Sequence, residues 1–331
     1  MTIVRLAALA LCVQLIVSAV PLAQAPPAGQ PAAQAPGRGR GPAPVDPRVQ
    51  MREYQFTETN EKIPYAMFVS SKVRPDAKSP LVIALHGLGG TPTSLLRGNA
   101  LDLAEAGGYI LVGPMGYNPR GWYGVPATGR GARGRGAGAP GPAAAPSANP
   151  GAPPPNTGAA SGAAPPQAAQ ATPGAPARGR GAFADANDPP NLRELSERDV
   201  MYVLSLVRQE FNVDERRIYL MGHSMGGAGT FHLAVKYPGN WAATASIAPA
   251  AFGMQPSSLS AITSMPMMIV HGDADTAVPV EVGRSWAEAM KERKMTYQYI
   301  EVPKGDHGNV ITIGMPDIFA FFAQHSKPAS R

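Results

Sequence analysis

The nine residues Tyr219-Leu220-Met221-Gly222-His223-Ser224-Met225-Gly226-Gly227 constrain this chain more than any other stretch. An apolar run, Ile218 to Met221, enters a Gly-x-Ser-x-Gly pentapeptide, and a segment with Phe231, Leu233 and Ala234 at helical spacing leaves it. The order predicts a strand, a sharp turn and a helix. Small residues at Gly222 and Gly226 suit a strand that reverses directly into a helix, because such a turn has no room for side chains on its flanks. It lifts the Ser224 hydroxyl off the sheet edge and aims the Met225 N–H at the same space. In a chain with 37 glycines the bare pentapeptide is a weak signal, so its surroundings decide its meaning.

Strand-like and helix-like runs alternate around it. Tyr54-Gln55-Phe56 and Tyr65 to Val69, separated by the polar Glu58 to Lys62, predict an antiparallel N-terminal hairpin. Pro80 to Leu85 is a continuous apolar run, as in a strand covered on both faces. It ends at His86-Gly87-Leu88-Gly89-Gly90, followed by a helix-like stretch from Thr91 to Ala106 and a strand from Tyr109 to Val112. Ser196-Glu197-Arg198-Asp199 reads as a capping box opening a helix with Val200, Val203, Leu204, Val207 and Phe211 on one stripe. Past the serine lie an alternation over Ala242 to Ile247 and a strand, Met267 to Val270, that runs into His271-Gly272-Asp273-Ala274-Asp275. A helix with Val282, Trp286 and Met290, a strand from Tyr297 to Val302, the loop Gly305-Asp306-His307-Gly308 and a last helix starting at Pro316 complete the pattern. The expectation is an α/β fold with a mostly parallel central sheet and helices on both faces.

The remainder reads differently. Residues 1–25 resemble a secretory signal: Arg5, an apolar run from Leu6 to Val20, and Ala23-Gln24-Ala25 as a cleavage pattern, with an earlier cut after Ala19 also open. The run is shorter than the roughly 20 residues of a membrane span, so no lasting membrane insertion is expected. Residues 26–47 read as a disordered linker and residues 125–190 as a disordered insertion rich in Pro, Ala and Gly, whose only large apolar side chains are Val125 and Phe183. Residues 48–331 then form a single domain interrupted by that insertion.

Charge and cysteine usage remove several function classes. Five of the six net positive charges fall within residues 1–47 and 125–190, so the folded part is near neutral. The Arg-Gly repeats lack interleaved aromatics for base stacking, and no nucleic-acid partner is expected. The single cysteine, Cys12, lies in the leader, which excludes a disulfide or thiol nucleophile in the processed chain. No histidines stand at metal-ligand spacing with a supporting carboxylate, so neither metal nor other cofactor is expected. A phosphate-binding Gly-x-x-x-x-Gly-Lys-Ser/Thr is absent.

A serine hydroxyl needs a base beside it and an acid behind that base. In a parallel sheet such partners come from loops at the same carboxyl edge. The chain supplies Ser224, then Asp275 with Asp273 as competitor, then His307 with His325 as competitor. His86, His223, His232 and His271 read as structural. Two backbone donors would hold the oxyanion: Met225 N–H, and Leu88 N–H with Gly89 open. Trp122 and Tyr123, in the loop Gly121 to Gly124, either wall a substrate pocket or pack on the core.

The stretches His86 to Gly90, Gly222 to Gly227, His271 to Pro279 and Asp306-His307-Gly308, together with Asp214 to Ser224, resemble the secreted esterases of the α/β-hydrolase superfamily. The nearest groups are poly(3-hydroxybutyrate) depolymerases, feruloyl esterases and phospholipase/carboxylesterase-like enzymes. The resemblance spans Met51 to about Gln324 except the insertion. It implies a monomeric serine carboxylic-ester hydrolase, secreted or periplasmic, acting through Ser224, His307 and Asp275. The segment Ala248 to Met265 is short for a lid, so an open site for bulky or polymer-borne esters is expected. A prolyl-oligopeptidase-type peptidase is the alternative, disfavoured because no propeller-sized domain precedes. A non-catalytic wall- or polymer-binding protein is the third reading.

Overall fold

A computed structural model of the protein describes residues 44–126 and 187–329. Eight strands form one sheet: β1 (Gln50–Phe56), β2 (Glu61–Val69), β3 (Ser79–Leu85), β4 (Ile110–Pro114), β5 (Val213–His223), β6 (Ala243–Ile247), β7 (Met267–Gly272) and β8 (Tyr297–Val302). Their spatial order is β1-β2-β4-β3-β5-β6-β7-β8. β1 pairs antiparallel with β2, and β2 antiparallel with β4; every other pairing is parallel. Five helices pack on it: α1 (Asn99–Gly107), α2 (Leu192–Glu210), α3 (Met225–Lys236), α4 (Val280–Glu292) and α5 (Asn309–Gln324).

The continuous apolar runs are explained by two cores, one on each face. Along β3 and β5, Leu81, Ile83, Leu85, Ile218 and Leu220 point into one core with Val203 of α2, Phe231 of α3 and Trp286 of α4. The alternate residues Val82, Ala84, Tyr219 and Met221 point into the other with Leu101 of α1 and Phe319 of α5. Side chains alternate along a strand, so a strand buried on both sides must be apolar at every position. The expected hairpin and mostly parallel sheet are both present.

Four expectations about boundaries need correction. The helix read from Thr91 starts only at Asn99, because Pro92 and Gly98 (φ 55°) occupy turns before it. α2 begins at Leu192, after Pro189-Pro190-Asn191, so Ser196 to Asp199 lie inside the helix and are no capping box. Ser196, Glu197 and Asp199 are buried and bond other segments: Ser196 Oγ accepts the Tyr123 N–H, and Glu197 accepts from His232 Nε2 and Tyr237 Oη. The last helix starts at Asn309 and contains Pro316. Proline has no N–H for the carbonyl four residues back, and Asn99 Nδ2 donates to that Thr312 carbonyl instead, at 2.8 Å. Finally, the ordered fold includes Val125, which is buried, and residues 187–190, while Asp46 already pairs with Arg48. The expected leader, the rest of the linker and the rest of the insertion lie outside the described residues.

Candidate active site

The parallel strands β3, β5, β7 and β8 all end at one edge, and the loops that follow them carry the candidate residues. Ser224 sits in the turn between β5 and α3 with φ 56° and ψ −114°. This conformation costs a non-glycine residue on the order of 1–3 kcal/mol and persists only when its surroundings fix it. They do so here. Ser224 N–H donates to Ile247 O (2.9 Å), and Ser224 O accepts from Ala228 N–H (3.1 Å) and Ala250 N–H (2.9 Å). The flanking glycines are dictated by contact: a Cβ at Gly222 would stand 2.2 Å from Gly226 O, and one at Gly226 2.2 Å from Leu85 O.

His307 follows β8. Its Nδ1 lies 2.7 Å from Asp275 Oδ2, and the Asp275 side chain is fully buried. Burial alone would raise the Asp275 carboxyl, but hydrogen bonds from Val278 N–H, His307 and Ala277 N–H outweigh it and hold its pKa below the ordinary carboxylate value. An ionised Asp275 fixes the His307 proton on Nδ1 and leaves Nε2 as the basic nitrogen. The competitor Asp273 turns elsewhere, its Oδ1 accepting from Lys304 N–H at 2.6 Å. His325 stands at the far end of α5, half-buried, with Nδ1 on Phe321 O.

Two further histidines brace this arrangement. His223 Nε2 donates to His307 O at 2.7 Å; burial, reinforced by His307, pushes its pKa down to about 4, so the ring is neutral. His271 Nε2 donates to Val278 O at 3.0 Å and lies 3.4 Å from Asp275 Oδ2, closing the turn that carries the acid. Its other nitrogen, Nδ1, is buried without a partner among the described residues. With both neighbours of Nε2 being acceptors, the proton belongs on Nε2. His86 and His232 are likewise structural in placement, between Gly87 O and Met115 O in one case and on Glu197 in the other.

The loop after β3 approaches from the other side. Gly89 N–H donates to Pro119 O at 2.9 Å, while among the described residues no acceptor takes the Leu88 N–H. Met225 N–H opens α3, and the first amides of a helix have no partner within it. Of the two alternatives, Leu88 therefore has its amide available and Gly89 does not. Leu88, Ser224, Met225 and His307 all line one cleft of about 1350 Å³.

The aromatic pair divides. Trp122 lines the cleft with Arg193 stacked on its ring at 5.5 Å. Tyr123 is 0% exposed and packs in the core, so of the two alternatives left open for the pair each residue takes a different one. Sequence reasoning missed Phe252, 47% exposed at the cleft, and the rim ion pair Arg120–Asp188 at 2.8 Å. The pair joins residues on either side of the insertion, and no local pattern marks it. Among the described residues no group of three or more His, Cys, Asp or Glu could hold a metal ion, and no helix is long and apolar enough to cross a membrane.

The sheet order, the serine turn and the loops at its carboxyl edge define an α/β-hydrolase fold. Residues 195–323 match a family described as PET hydrolase-like. The chain is similar in structure to a thermostable esterase, with a TM-score of 0.55 and 21% identity over 85% of this chain and 64% of that one. It is similar to an S-formylglutathione hydrolase from Agrobacterium tumefaciens, with a TM-score of 0.55 and 16% identity over 84% of this chain and 95% of that one. A ferulic acid esterase from Anaeromyces mucronatus, solved in complex with ferulic acid, gives a TM-score of 0.54 and 14% identity over 87% and 93%. Together the structural likenesses support an α/β-hydrolase fold for this chain.

Proposed function

We propose that the protein hydrolyses carboxylic esters through an acyl-enzyme on Ser224, with bulky or polymer-borne esters as substrates. Ser224 Oγ attacks the ester carbonyl carbon as His307 Nε2 takes the hydroxyl proton. The carbonyl electron pair moves onto oxygen, facing the N–H groups of Leu88 and Met225. Collapse of this intermediate expels the alcohol, protonated by His307. Water then repeats the sequence, releasing the carboxylic acid and restoring Ser224. Asp275 keeps the imidazole in the required tautomer and stabilises its charged form.

The observation that carries this reading is that Ser224 and His307 line one cleft while Asp275 holds the far side of the His307 ring. The substrate class is supported by the cleft's volume of about 1350 Å³ and by the segment Ala248 to Met265, whose only helical part is the short 3₁₀ turn Pro256–Ala261. The PET hydrolase-like match and the likeness to a ferulic acid esterase point the same way. The leader-like N-terminus supports export to the periplasm or beyond.

The test is Ser224→Ala assayed on short p-nitrophenyl esters and labelled with a fluorophosphonate. Loss of both turnover and labelling, with an unchanged fold, is the expected result; retained turnover would refute the assignment. A parallel panel of acetyl, butyryl, feruloyl and hydroxybutyrate-oligomer esters identifies the acyl class. Including a peptide amide distinguishes the peptidase reading, which requires amide turnover comparable to ester turnover.

A further inference from the structure

The loop of residues 115–125, which follows β4, is strained and pinned. Tyr117, Trp122 and Tyr123 all have positive φ, at 63°, 60° and 51°. Three such non-glycine residues in one short loop need an external hold. α2 supplies it with two buried side chains. Asp199, 0% exposed, accepts from Gly116 N–H (2.5 Å) and Tyr117 N–H (3.1 Å) with Oδ2, and from Tyr54 Oη (2.5 Å) with Oδ1. One turn earlier, Ser196 Oγ accepts from Tyr123 N–H at 3.0 Å.

The same loop touches the β3 loop at three points. Met115 O lies 2.8 Å from His86 Nε2, Pro119 O takes the Gly89 N–H at 2.9 Å, and Tyr123 Oη donates to His86 O at 3.2 Å. Those contacts bracket Leu88. The direction of the Leu88 N–H is therefore set by residues 115–123, and their conformation is set from α2. Neither Asp199 nor Ser196 lines the cleft.

We propose that Asp199, with Ser196, is a positioning residue for oxyanion stabilisation: it fixes the loop of residues 115–123, which in turn aims the Leu88 N–H. The proposal rests on the esterase reading and on Leu88 as an oxyanion donor. It assigns catalytic consequence to a buried acid whose bonds otherwise look purely architectural. An oxyanion donor removed outright costs about 10²–10³-fold in turnover, and a donor merely misaimed costs less.

The experiment measures kcat and KM for p-nitrophenyl butyrate, together with the inhibition constant of an alkyl trifluoromethyl ketone, whose adduct with the serine carries the oxyanion. Asp199→Ala is expected to lower kcat about 10- to 100-fold and to weaken the ketone by a similar factor, with KM within about threefold. Asp199→Asn, whose amide oxygen still accepts from Gly116 and Tyr117, is expected to recover kcat to within about fivefold of the parent. A folded Asp199→Ala variant with unchanged kcat overturns the proposal, as does a kcat loss that leaves ketone affinity untouched. Should that variant fail to fold, Ser196→Ala decides by the same readouts, unchanged kcat again counting against the idea. Ser224→Ala run alongside separates the two levels. Residual turnover there refutes the esterase reading, whereas an inactive Ser224→Ala beside a fully active Asp199→Ala refutes only this positioning role.

Discussion

His223 and His307 are joined by a hydrogen bond from the imidazole Nε2 of one to the backbone carbonyl of the other, 2.7 Å long. The residue preceding the proposed nucleophile thus holds the loop of the proposed base, and the separation of Ser224 from His307 is fixed by their own neighbours. The ring of His223, kept neutral by burial, has one proton to give and gives it here.

Removing that bond should loosen the base without altering the sheet. His223→Ala is expected to lower kcat for a p-nitrophenyl ester about tenfold, the equivalent of one buried hydrogen bond of about 1.4 kcal/mol. Steady-state kinetics checks this, and an unchanged kcat would show that the loop holds its place unaided.

The two candidate acids should separate by orders of magnitude. Asp275→Asn is expected to lower kcat about 10³- to 10⁴-fold, because the amide no longer fixes the His307 tautomer. Asp273→Asn alters the hydrogen bond from the Lys304 amide and should stay within about threefold. Equal losses in the two variants would remove Asp275 from its proposed role.

The serine turn predicts a sharp split among glycines. Gly222→Ala and Gly226→Ala each force a Cβ to within 2.2 Å of a backbone carbonyl oxygen, and a loss of more than about 4 kcal/mol is expected. Gly239, which has nothing within 4 Å of its would-be Cβ, should accept alanine with a change below about 0.5 kcal/mol. Denaturant melts of the three variants provide the comparison.

Asp199 predicts a pH-dependent stability of definite sign. Burial raises its carboxyl to about 6 from an ordinary 3.8, against the pull of the Tyr54, Tyr117 and Gly116 hydrogen bonds. A carboxyl raised in the folded state contributes stability when protonated and loses it as pH climbs from the ordinary value through about 6. The permanently neutral Asp199→Asn lacks this loss. Its stability relative to the parent should therefore be greater at pH 7.5 than at pH 4.5 by about 2 kcal/mol. Urea melts at the two pH values test it; a difference that does not change with pH would mean that Asp199 titrates no higher folded than unfolded, and one that shrinks with rising pH would mean that its carboxyl is lowered instead.

The candidate site was readable from the sequence where each residue closes a strand. Ser224, Asp275 and His307 follow β5, β7 and β8, and a strand-like run leading into a glycine-containing loop is a local signal. The role of α2 was not, because Ser196-x-x-Asp199 has the same local spelling as a helix cap. Only the fold brings Gly116, Tyr117 and Tyr123 to those side chains. Pro316 misled for a related reason: proline is locally a helix start, and the group that makes it tolerable inside α5, Asn99, comes from a different helix. Tyr123 could not be told from Trp122 by pattern, since adjacent residues in a tight turn face opposite ways.

β3 and β5 lie side by side at the centre of the sheet, with Ile83 paired to Leu220, although α1, β4, α2 and the whole insertion separate them in sequence. Closing so long a loop costs entropy before any contact repays it, and such distant pairings slow folding. The same closure brings Leu88 to Ser224. If the proposed function holds, hydrolytic activity is expected to return on refolding no earlier than the closing of the central strand pair.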